Sequence, residues 1–547
     1  MNKKFDFDVV VIGAGPVGLA LAGDLGRRGH KCLVVEKSDG TVTQPKMDMV
    51  GIRTMEYCRM WGLTEDVHKA GYNRSYPQDN VFLTSLTGFE VGRQPMPSML
   101  DEQEPPESPT HRERCPQNFF DPVLQKFASR QKTVSFRYNT EYLSHQQDDS
   151  GVSIELSALS SSAVEKITAK YLVGCDGANS VVRNHLGIEM HGQGILTYTT
   201  NVIFESKNLN GLHNKKPGYR YMFVGESGAW GTLVAIDGYD KWRMSIIGDK
   251  NPQPKFTEQE LTEFAYRMMG KKFDLKILSV LPWIRAELVA NQYSVGRVFL
   301  CGDACHRTSP TAGLGMNTGI GDAVDLSWKL SACLEGWGGR GLLDSYGKER
   351  IPIAERFTRF STGNLNTLKS APGNERITED SNAGRETRRK VGKYLEDGLR
   401  REWFSLNMHL GNRYTDSNVI VYSEVESPEE IEKEYVEPSI YLQSTRPGAR
   451  APHAWMRDGR STLDLFGNGF VCVVFDEADE KAASEIIEKA ARSQSVPLTV
   501  VRIHEQEIAN LYDRRFVLVR PDGHVGWRGE ELPDDFSEIL ATLTGKY

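Results

Sequence analysis

The sequence predicts an α/β protein with a parallel sheet, an inserted antiparallel sheet and a separate C-terminal α/β unit. Residues 6–36 read as strand, glycine turn, helix and strand, which indicates two parallel strands joined by a right-handed crossover. Residues 195–250 instead contain segments typical of antiparallel strands, such as YRYMFV (219–224) and WRMSII (242–247). From about residue 445, strands and helices alternate over a length that suits a small α/β domain.

Length and composition are those of a multidomain globular protein. The chain has 547 residues and a formal net charge of −7, and such mild acidity disfavours non-specific binding to nucleic acid or anionic membranes. The N-terminal segment lacks the long apolar core of a signal peptide. No stretch reaches the roughly 20 apolar residues that span a bilayer. We therefore expect a cytoplasmic protein with no nucleic-acid or membrane partner.

The eight cysteines are scattered and form no CxxC pair. The closest spacing is CGDAC (301–305), and nothing nearby completes a set of zinc ligands. We expect reduced, mostly buried thiols and no metal site. His306 and His453 are interpreted as structural residues.

The first motif is Gly13-x-Gly15-x-x-Gly18, directly after the strand DVVVI (8–12) and at the start of a helix. In such a motif the first glycine permits a tight turn, the second lets the backbone approach a pyrophosphate, and the third allows close helix–strand packing. Glu36 ends the next strand, where it can accept hydrogen bonds from a ribose hydroxyl. Together these features predict a Rossmann-like dinucleotide site, without choosing between NAD and FAD.

Two further segments place an acidic residue and glycines at the end of a buried strand. One is VGCDGANSVVR, with Asp176 and Arg183, and the other is GDACHRTSPTAGLGMN, with Asp303. Asp303 can hold polyol hydroxyls, and the backbone N–H groups of Gly315–Asn317 can face a ring edge that gains negative charge on reduction. For Asp176 and Arg183, a fold-stabilising turn and salt bridge is the alternative.

In this order, the three segments resemble the FAD-dependent aromatic hydroxylases over residues 6–360. The branch includes phenol hydroxylase, 2-hydroxybiphenyl 3-monooxygenase and 3-(3-hydroxyphenyl)propionate hydroxylase. The resemblance implies a Rossmann-like FAD-binding parallel sheet with an inserted antiparallel substrate-domain sheet, plus a C-terminal thioredoxin-like α/β domain. It implies that FAD binds at the one glycine motif of this kind, Gly13-x-Gly15-x-x-Gly18, and that NADPH or NADH binds only transiently.

The resemblance also implies a set of cofactor-binding residues. They are Gly13, Gly15, Pro16, Gly18, Glu36, Lys37, Lys46, Gln117, Asp176, Arg183, Gly302, Asp303, Pro310, Gly313, Gly315, Met316 and Asn317. Asp303 would contact the ribityl chain, and the backbone at Met316 and Asn317 would contact the pyrimidine end of the flavin. Gln117 would face the flavin, and Pro310 would lie beside its ring, near the substrate.

The segment QPKMDMVGIRTME (44–56) resembles the family's loop that leads into the next helix. Lys46 stands where many members have arginine, which removes the bidentate contact that arginine offers. Asp48 matches a position that meets the substrate's phenolic hydroxyl, where a carboxylate could assist loss of the proton. Asp48 and Pro310 are therefore the predicted catalytic residues, and a solvated loop residue or helix cap is the alternative for Asp48. Because an anion there would repel a benzoate, we expect a phenol without an obligatory carboxylate.

The chain is expected to divide into four parts. They are a discontinuous FAD-binding domain (1–185 and 285–360), a substrate-binding sheet (75–115 and 186–284), a helical or linker connection (361–440) and a thioredoxin-like domain (441–547). Residues 365–390 show no apolar period, and the aromatic residues of the inserted sheet could line the site, about half of them pointing away. The sole cysteine after residue 441 is Cys472, which excludes a dithiol redox role. We expect a monomer or homodimer.

The implied activity is that of a single-component NAD(P)H-dependent flavoprotein monooxygenase of aromatic hydrocarbon catabolism. It would insert one oxygen of O₂ into a phenolic substrate through a C4a-hydroperoxyflavin. One alternative is a denitrating monooxygenase that acts on a nitrophenol or nitrocatechol and releases nitrite and a quinone. The others are a flavin dehydrogenase or oxidase, and a non-enzymatic flavin-binding scaffold.

Overall fold

The structure is a computed structural model that describes residues 4–161, 163–422, 426–475 and 480–547. The strands, in chain order, are β1 (Phe7–Ile12), β2 (Cys32–Val35), β3 (Met49–Val50), β4 (Asn80–Leu83), β5 (Glu90–Gln94), β6 (Glu113–Arg114), β7 (Val134–Arg137), β8 (Thr140–Gln147), β9 (Val152–Ala158), β10 (Val164–Gly174), β11 (Met190–Glu205), β12 (Arg220–Gly225), β13 (Gly228–Ala235), β14 (Lys241–Ile247), β15 (Lys276–Ala290), β16 (Ser294–Val295), β17 (Val298–Leu300), β18 (His306–Arg307), β19 (Phe470–Val474), β20 (Leu498–Arg502), β21 (Phe516–Val519) and β22 (Val525–Gly529).

The α-helices lie between these strands and after them. They are α1 (Pro16–Arg27), α2 (Ile52–Met60), α3 (Thr64–His68), α4 (Gln117–Ser129), α5 (Val181–His185), α6 (Glu258–Met269), α7 (Leu314–Glu335), α8 (Arg340–Lys369), α9 (Asn382–Trp403), α10 (Leu406–Leu410), α11 (Pro428–Lys433), α12 (Glu480–Ser493), α13 (Gln506–Tyr512) and α14 (Phe536–Leu543). Among the described residues, no helix combines the length and the apolarity needed to cross a bilayer.

The first sheet has the strand order β16-β17-β10-β1-β2-β7. Strands β17, β10, β1, β2 and β7 all run parallel, and β1 pairs with both β10 and β2. The valines of β1 and β2 are fully buried, as expected for a parallel sheet covered by helices. Helix α1 follows β1 directly and packs against α4 and α7.

The second sheet has the order β18-β15-β11-β14-β13-β12-β4-β5 and is antiparallel except where β12 meets β4. The hairpin β4–β5 comes from the early part of the chain and completes one edge. Strand β15 runs through the predicted domain limit at residue 284, and it continues as far as Ala290. Its continuation and β18 connect this sheet to the segment that follows Leu300.

The connection between the second sheet and the C-terminal unit is helical. Helix α9 covers part of residues 365–390, and its apolar side chains Val391, Leu395 and Leu399 pack against the second sheet. This apolar stripe lies beyond residue 390, which explains why the polar segment shows no helical period on its own. Helix α9 therefore closes one side of the sheet.

The C-terminal unit has a four-stranded sheet of order β20-β19-β21-β22, with β20 parallel to β19 and the other pairs antiparallel. Cys472 is buried in its central strand β19. Helices α12 and α14 pack against each other beside this sheet.

A buried group of charges joins the C-terminal unit to α7 and α8. The Arg520 guanidinium donates to Glu349 at 2.6 and 2.8 Å, to Asp325 at 3.2 Å and to Asp522 at 2.7 Å. The Lys329 ammonium donates to Asp325 at 2.8 Å and to Glu349 at 2.6 Å. All five side chains are almost completely buried, so each charge depends on the others for compensation.

We expect Arg520→Met to lower the free energy of unfolding by about 3–5 kcal/mol, because it leaves buried carboxylates without their main cation. Urea denaturation followed by tryptophan fluorescence measures this loss. The control Arg389→Met removes an exposed arginine paired with Glu386 and should leave the midpoint unchanged. Equal midpoints for Arg520→Met and the wild-type protein would contradict the assigned role.

Candidate active site

The glycine loop between β1 and α1 is closely packed at two positions and open at the third. Gly13 has a φ of +107°, and a Cβ there would lie 2.4 Å from the Cys175 carbonyl oxygen. A Cβ at Gly18 would lie 2.1 Å from the Gly13 carbonyl oxygen, whereas a Cβ at Gly15 would meet no protein atom within 4 Å. The space over Gly15 lies at the N-terminus of α1, whose free N–H groups favour an anion. The loop therefore fits the pyrophosphate of a dinucleotide.

Glu36 closes the same loop from the end of β2. Its carboxylate accepts hydrogen bonds from the Ala14 N–H at 2.9 Å and from the Ser38 N–H at 2.9 Å. Pro16 is the first residue of α1, a position where the missing N–H of proline leaves no helical hydrogen bond unmade. Lys37 is exposed beside Glu36. This arrangement places an acidic group next to the open space over Gly15, as a ribose contact requires.

Asp176 and Arg183 make hydrogen bonds to backbone groups rather than to each other. The Asp176 carboxylate accepts from the Val181 N–H at 2.7 Å at the start of α5. The Arg183 guanidinium donates to the Ala304 carbonyl at 2.9 Å, and it thereby ties this turn to the Gly302 segment. Both bonds support the turn of the structural alternative but not its salt bridge, while contact with a cofactor stays a prediction.

The segment from Gly302 to Asn317 surrounds the N-terminus of α7. Asp303 is exposed, and its carboxylate makes no hydrogen bond or ion pair with the described residues, so it is free to hold hydroxyl groups. Gly313 has a φ of +63° and directly precedes the first turn of α7, which contains Gly315 and Met316. Free N–H groups at this turn suit the electron-rich edge of a flavin.

The Asn317 side chain holds the loop that contains Asp48. Its Oδ1 accepts from the Gly51 N–H at 2.8 Å and from the Thr54 hydroxyl at 2.7 Å, and its Nδ2 donates to the Met49 carbonyl at 3.1 Å. The side chain is thus used within the protein, and only the backbone of Asn317 remains for a cofactor.

Gln117 supports the same loop from the start of α4. Its Oε1 accepts from the Lys46 N–H at 3.0 Å, and its Nε2 donates to Asp121 at 2.9 Å. Lys46 itself is exposed at this point of the loop. Gln117 therefore positions the backbone beside the predicted flavin site.

Asp48 lies in a cluster that the sequence does not predict. The short pair β3–β6 brings Asp48 next to Arg114, whose guanidinium donates to the carboxylate at 2.9 Å. Arg243 donates at 3.3 Å, and the Tyr219 hydroxyl makes a short hydrogen bond to the same carboxylate. Burial alone would raise the pKa of Asp48, but the two guanidinium groups and the hydrogen bond from Tyr219 together lower it. Asp48 is therefore an ionised, paired carboxylate and not a solvated loop residue.

A cavity of about 520 Å³ lies between the second sheet and the FAD-side loops. Asp48, Pro310 and Gly313 line it, and so does Tyr219. Four other aromatic residues of the second sheet pack in the core on its opposite side, namely Tyr221, Phe223, Trp230 and Trp242.

Sequence reasoning missed several residues of this cavity. They are Arg114 of β6, Arg243 of β14, Trp283 and Arg285 of β15, and Glu402 and Trp403 at the end of α9. The alternation along β15 could have identified Trp283 and Arg285 as neighbours on one face. No local pattern marks the residues of α9, because their place in the cavity depends on how α9 packs.

Comparisons with known proteins identify the family of this chain. Residues 6–361 match a family model described as FAD binding domain, and residues 444–546 match one described as aromatic-ring hydroxylase, C-terminal. A putative polyketide hydroxylase of Streptomyces halstedii is 33% identical over 98% of this chain and 95% of its own length. A 2,4-dichlorophenol 6-monooxygenase of Delftia acidovorans is 30% identical over 99% of this chain and all of its own. A solved structure of RebC, soaked with chromopyrrolic acid and containing 7-carboxy-K252c, has a TM-score of 0.91 at 35% identity over the full length of both chains.

The open space over Gly15 provides a test of cofactor binding that is separate from folding. Gly15→Ala should change the stability of the apoprotein by no more than about 0.5 kcal/mol, because its φ of −74° is ordinary and its Cβ meets no protein atom. It should weaken FAD binding about tenfold or more, because the methyl group occupies the space of the pyrophosphate. Urea denaturation and titration of apoprotein with FAD measure the two effects.

Gly18→Ala serves as the contrasting variant, because its Cβ clashes with the Gly13 carbonyl and should destabilise the apoprotein itself. Unchanged FAD affinity in Gly15→Ala would refute the placement of the pyrophosphate.

Proposed function

This chain belongs to the FAD-dependent aromatic-ring monooxygenases, and we propose that it takes electrons from NADPH or NADH and adds one atom of O₂ to a phenolic ring. In this reaction the nicotinamide supplies two electrons, one oxygen atom enters the ring and the other leaves as water. FAD, when bound, supplies the oxygen-activating chemistry. The observation that carries the proposal is the cavity that Asp48 and its partners line together with Pro310 and Gly313.

The cluster around Asp48 suits a phenol that must become more electron-rich. Asp48 stays ionised at neutral pH, so its carboxylate can accept a hydrogen bond from the phenolic hydroxyl and assist the loss of its proton. The Arg114 and Arg243 guanidinium groups stabilise the negative charge that develops on the phenol oxygen. Burial raises the pKa of Tyr219 well above its usual value, so its hydroxyl remains a donor. Pro310 shapes the wall beside the reacting ring.

For the C-terminal unit we propose a thioredoxin-like domain with a structural role. Its sheet has one parallel pairing, between β19 and β20, and two antiparallel pairings, β19–β21 and β21–β22. Its single cysteine is buried. It supplies Arg520 to the buried charges on α7 and α8 and Arg450 to a buried pair with Glu56 on α2. These contacts support a role in holding the FAD-binding and substrate segments together.

The reaction is tested by following NADPH and NADH oxidation across a panel of phenols, with ¹⁸O-labelled O₂ and identification of the product. Incorporation of label in proportion to the nicotinamide consumed supports hydroxylation. Nitrite from nitro-substituted phenols would instead support the denitrating alternative. Full release of H₂O₂ with every phenol would support an oxidase.

Asp48→Asn should lower hydroxylation by roughly 10²-fold, the usual contribution of a positioned acid–base group. The variant keeps the size of the side chain and should retain FAD, which its visible absorbance measures. Asp66→Asn changes a partly exposed carboxylate that pairs with Lys126 and does not line the cavity, and it serves as the control. Turnover of Asp48→Asn equal to that of the control would reject the assigned role.

A further inference from the structure

Arg285 is a buried cation that lacks a partner. It lies on β15, is only 8% exposed and lines the cavity. Within the described part of the chain its guanidinium makes no hydrogen bond or ion pair, and its Nε is buried without an acceptor. The Nε1–H of Trp283, two residues earlier on the same face of β15, is also buried without an acceptor. Both side chains line the cavity, and these two buried donors have no acceptor among the described residues.

The acids of the cavity compensate this charge only in part, through the attraction of Glu402. Seven Lys or Arg side chains line the cavity, against three Asp or Glu side chains. Each of the three acids already pairs with another arginine: Asp48 with Arg114 at 2.9 Å, Glu102 with Arg112 at 3.1 Å, and Glu402 with Arg220 at 2.8 Å. The cavity therefore carries an excess of positive charge, and Arg285 is its buried member without a counter-ion among the described residues.

Leaving Arg285 in this state is energetically costly. Burial and the nearby cations Arg220 and Arg243 lower its pKa to about 10, which still leaves it protonated at neutral pH. A buried charge without a partner destabilises the protein, and a bound anion would offset that cost. The pyrophosphate of FAD is not that anion, because the Gly13–Gly18 loop does not line this cavity.

Glu402, which also lines the cavity, has a carboxylate oxygen that lacks a hydrogen-bond donor. One of its oxygens accepts from Arg220 and from the Ala312 N–H at 3.1 Å, while its Oε2 is buried without a donor. The cavity thus offers surplus donors at Arg285 and Trp283 and one free carboxylate oxygen. A hydroxylated aromatic acid carries groups that satisfy both.

We propose that the cavity binds an acidic aromatic substrate whose ionised oxygen group, a carboxylate or an acidic enol, is held by Arg285 and Trp283. Such charge-assisted hydrogen bonds are strong because both partners are removed from water. The inference rests on the proposed function, since it names the substrate class of the same site. It replaces the expectation of a phenol without a carboxylate, because that expectation treated Asp48 as an unpaired anion.

Binding of matched ligand pairs to the FAD-loaded enzyme tests this inference. The carboxylate pair is 6-hydroxy-2-naphthoate and its neutral isostere 6-hydroxy-2-naphthamide. The enol pair is 2-hydroxy-1,4-naphthoquinone and its methyl ether. Perturbation of the flavin absorbance or quenching of tryptophan fluorescence gives the dissociation constants.

The acidic member of at least one pair should bind about tenfold tighter than its neutral mate, and the pair that shows this preference identifies the group. In Arg285→Met the preference should fall to about threefold or less, with the affinity of the neutral member unchanged, and Arg285→Lys should retain part of it. Arg267→Met serves as the control, because Arg267 stacks on Trp230 on the other side of the sheet, and it should keep the full preference.

Three results would overturn the inference. They are equal or undetectable binding of both members of both pairs, a preference for the acid that survives in Arg285→Met, and loss of FAD from Arg285→Met. None of these results bears on the ¹⁸O measurement, so the proposed hydroxylation can stand or fall separately.

Discussion

The ion pairs around Arg520 connect parts of the chain that are almost two hundred residues apart. Arg520 belongs to the C-terminal unit, Asp325 and Lys329 to α7, and Glu349 to α8. Removing such charges from water is so unfavourable that the group is stable only when every member is present and correctly placed. The arrangement therefore specifies where the C-terminal unit sits on the FAD-binding domain as much as it stabilises that position.

Helix α7 transmits this constraint to the cofactor side. Asp322 lies one turn before Asp325 on this helix. Its carboxylate accepts hydrogen bonds from the Gly302 N–H at 3.2 Å and from the Arg350 guanidinium at 2.7 Å, and it forms a hydrogen bond with His306 at 2.8 Å. At the start of the helix, Asn317 holds the loop of Asp48. Helix α7 thus contacts the C-terminal unit, the Gly302 segment and the loop that contains Asp48. This explains why a domain without redox cysteines is positioned against a flavin-binding fold.

The parts of the structure that depend on neighbouring residues could be predicted from the sequence, and the parts that depend on distant ones could not. The glycine loop, Glu36 and the strand–helix–strand unit follow from spacing along thirty residues, and the structure places them together. The charge state of Asp48 instead depends on Arg114 and Arg243, which reach it through the pairing of β3 with β6 and through the second sheet. The sequence therefore shows that Asp48 is acidic but not which cations surround it, because pairing between distant strands leaves no local pattern in the sequence.

The same reasoning explains why the two groups of buried charges differ. Around Arg520 every cation has a carboxylate and every carboxylate has a cation, so this group is complete without any ligand. In the cavity the carboxylates are already taken by Arg114, Arg112 and Arg220, and Arg285 is left with only the field of its neighbours, two of which repel it. A purely structural role would be served better by an apolar side chain of similar size, since an unpaired buried charge opposes folding. An anion that enters the cavity from outside the chain would offset the cost of burying Arg285.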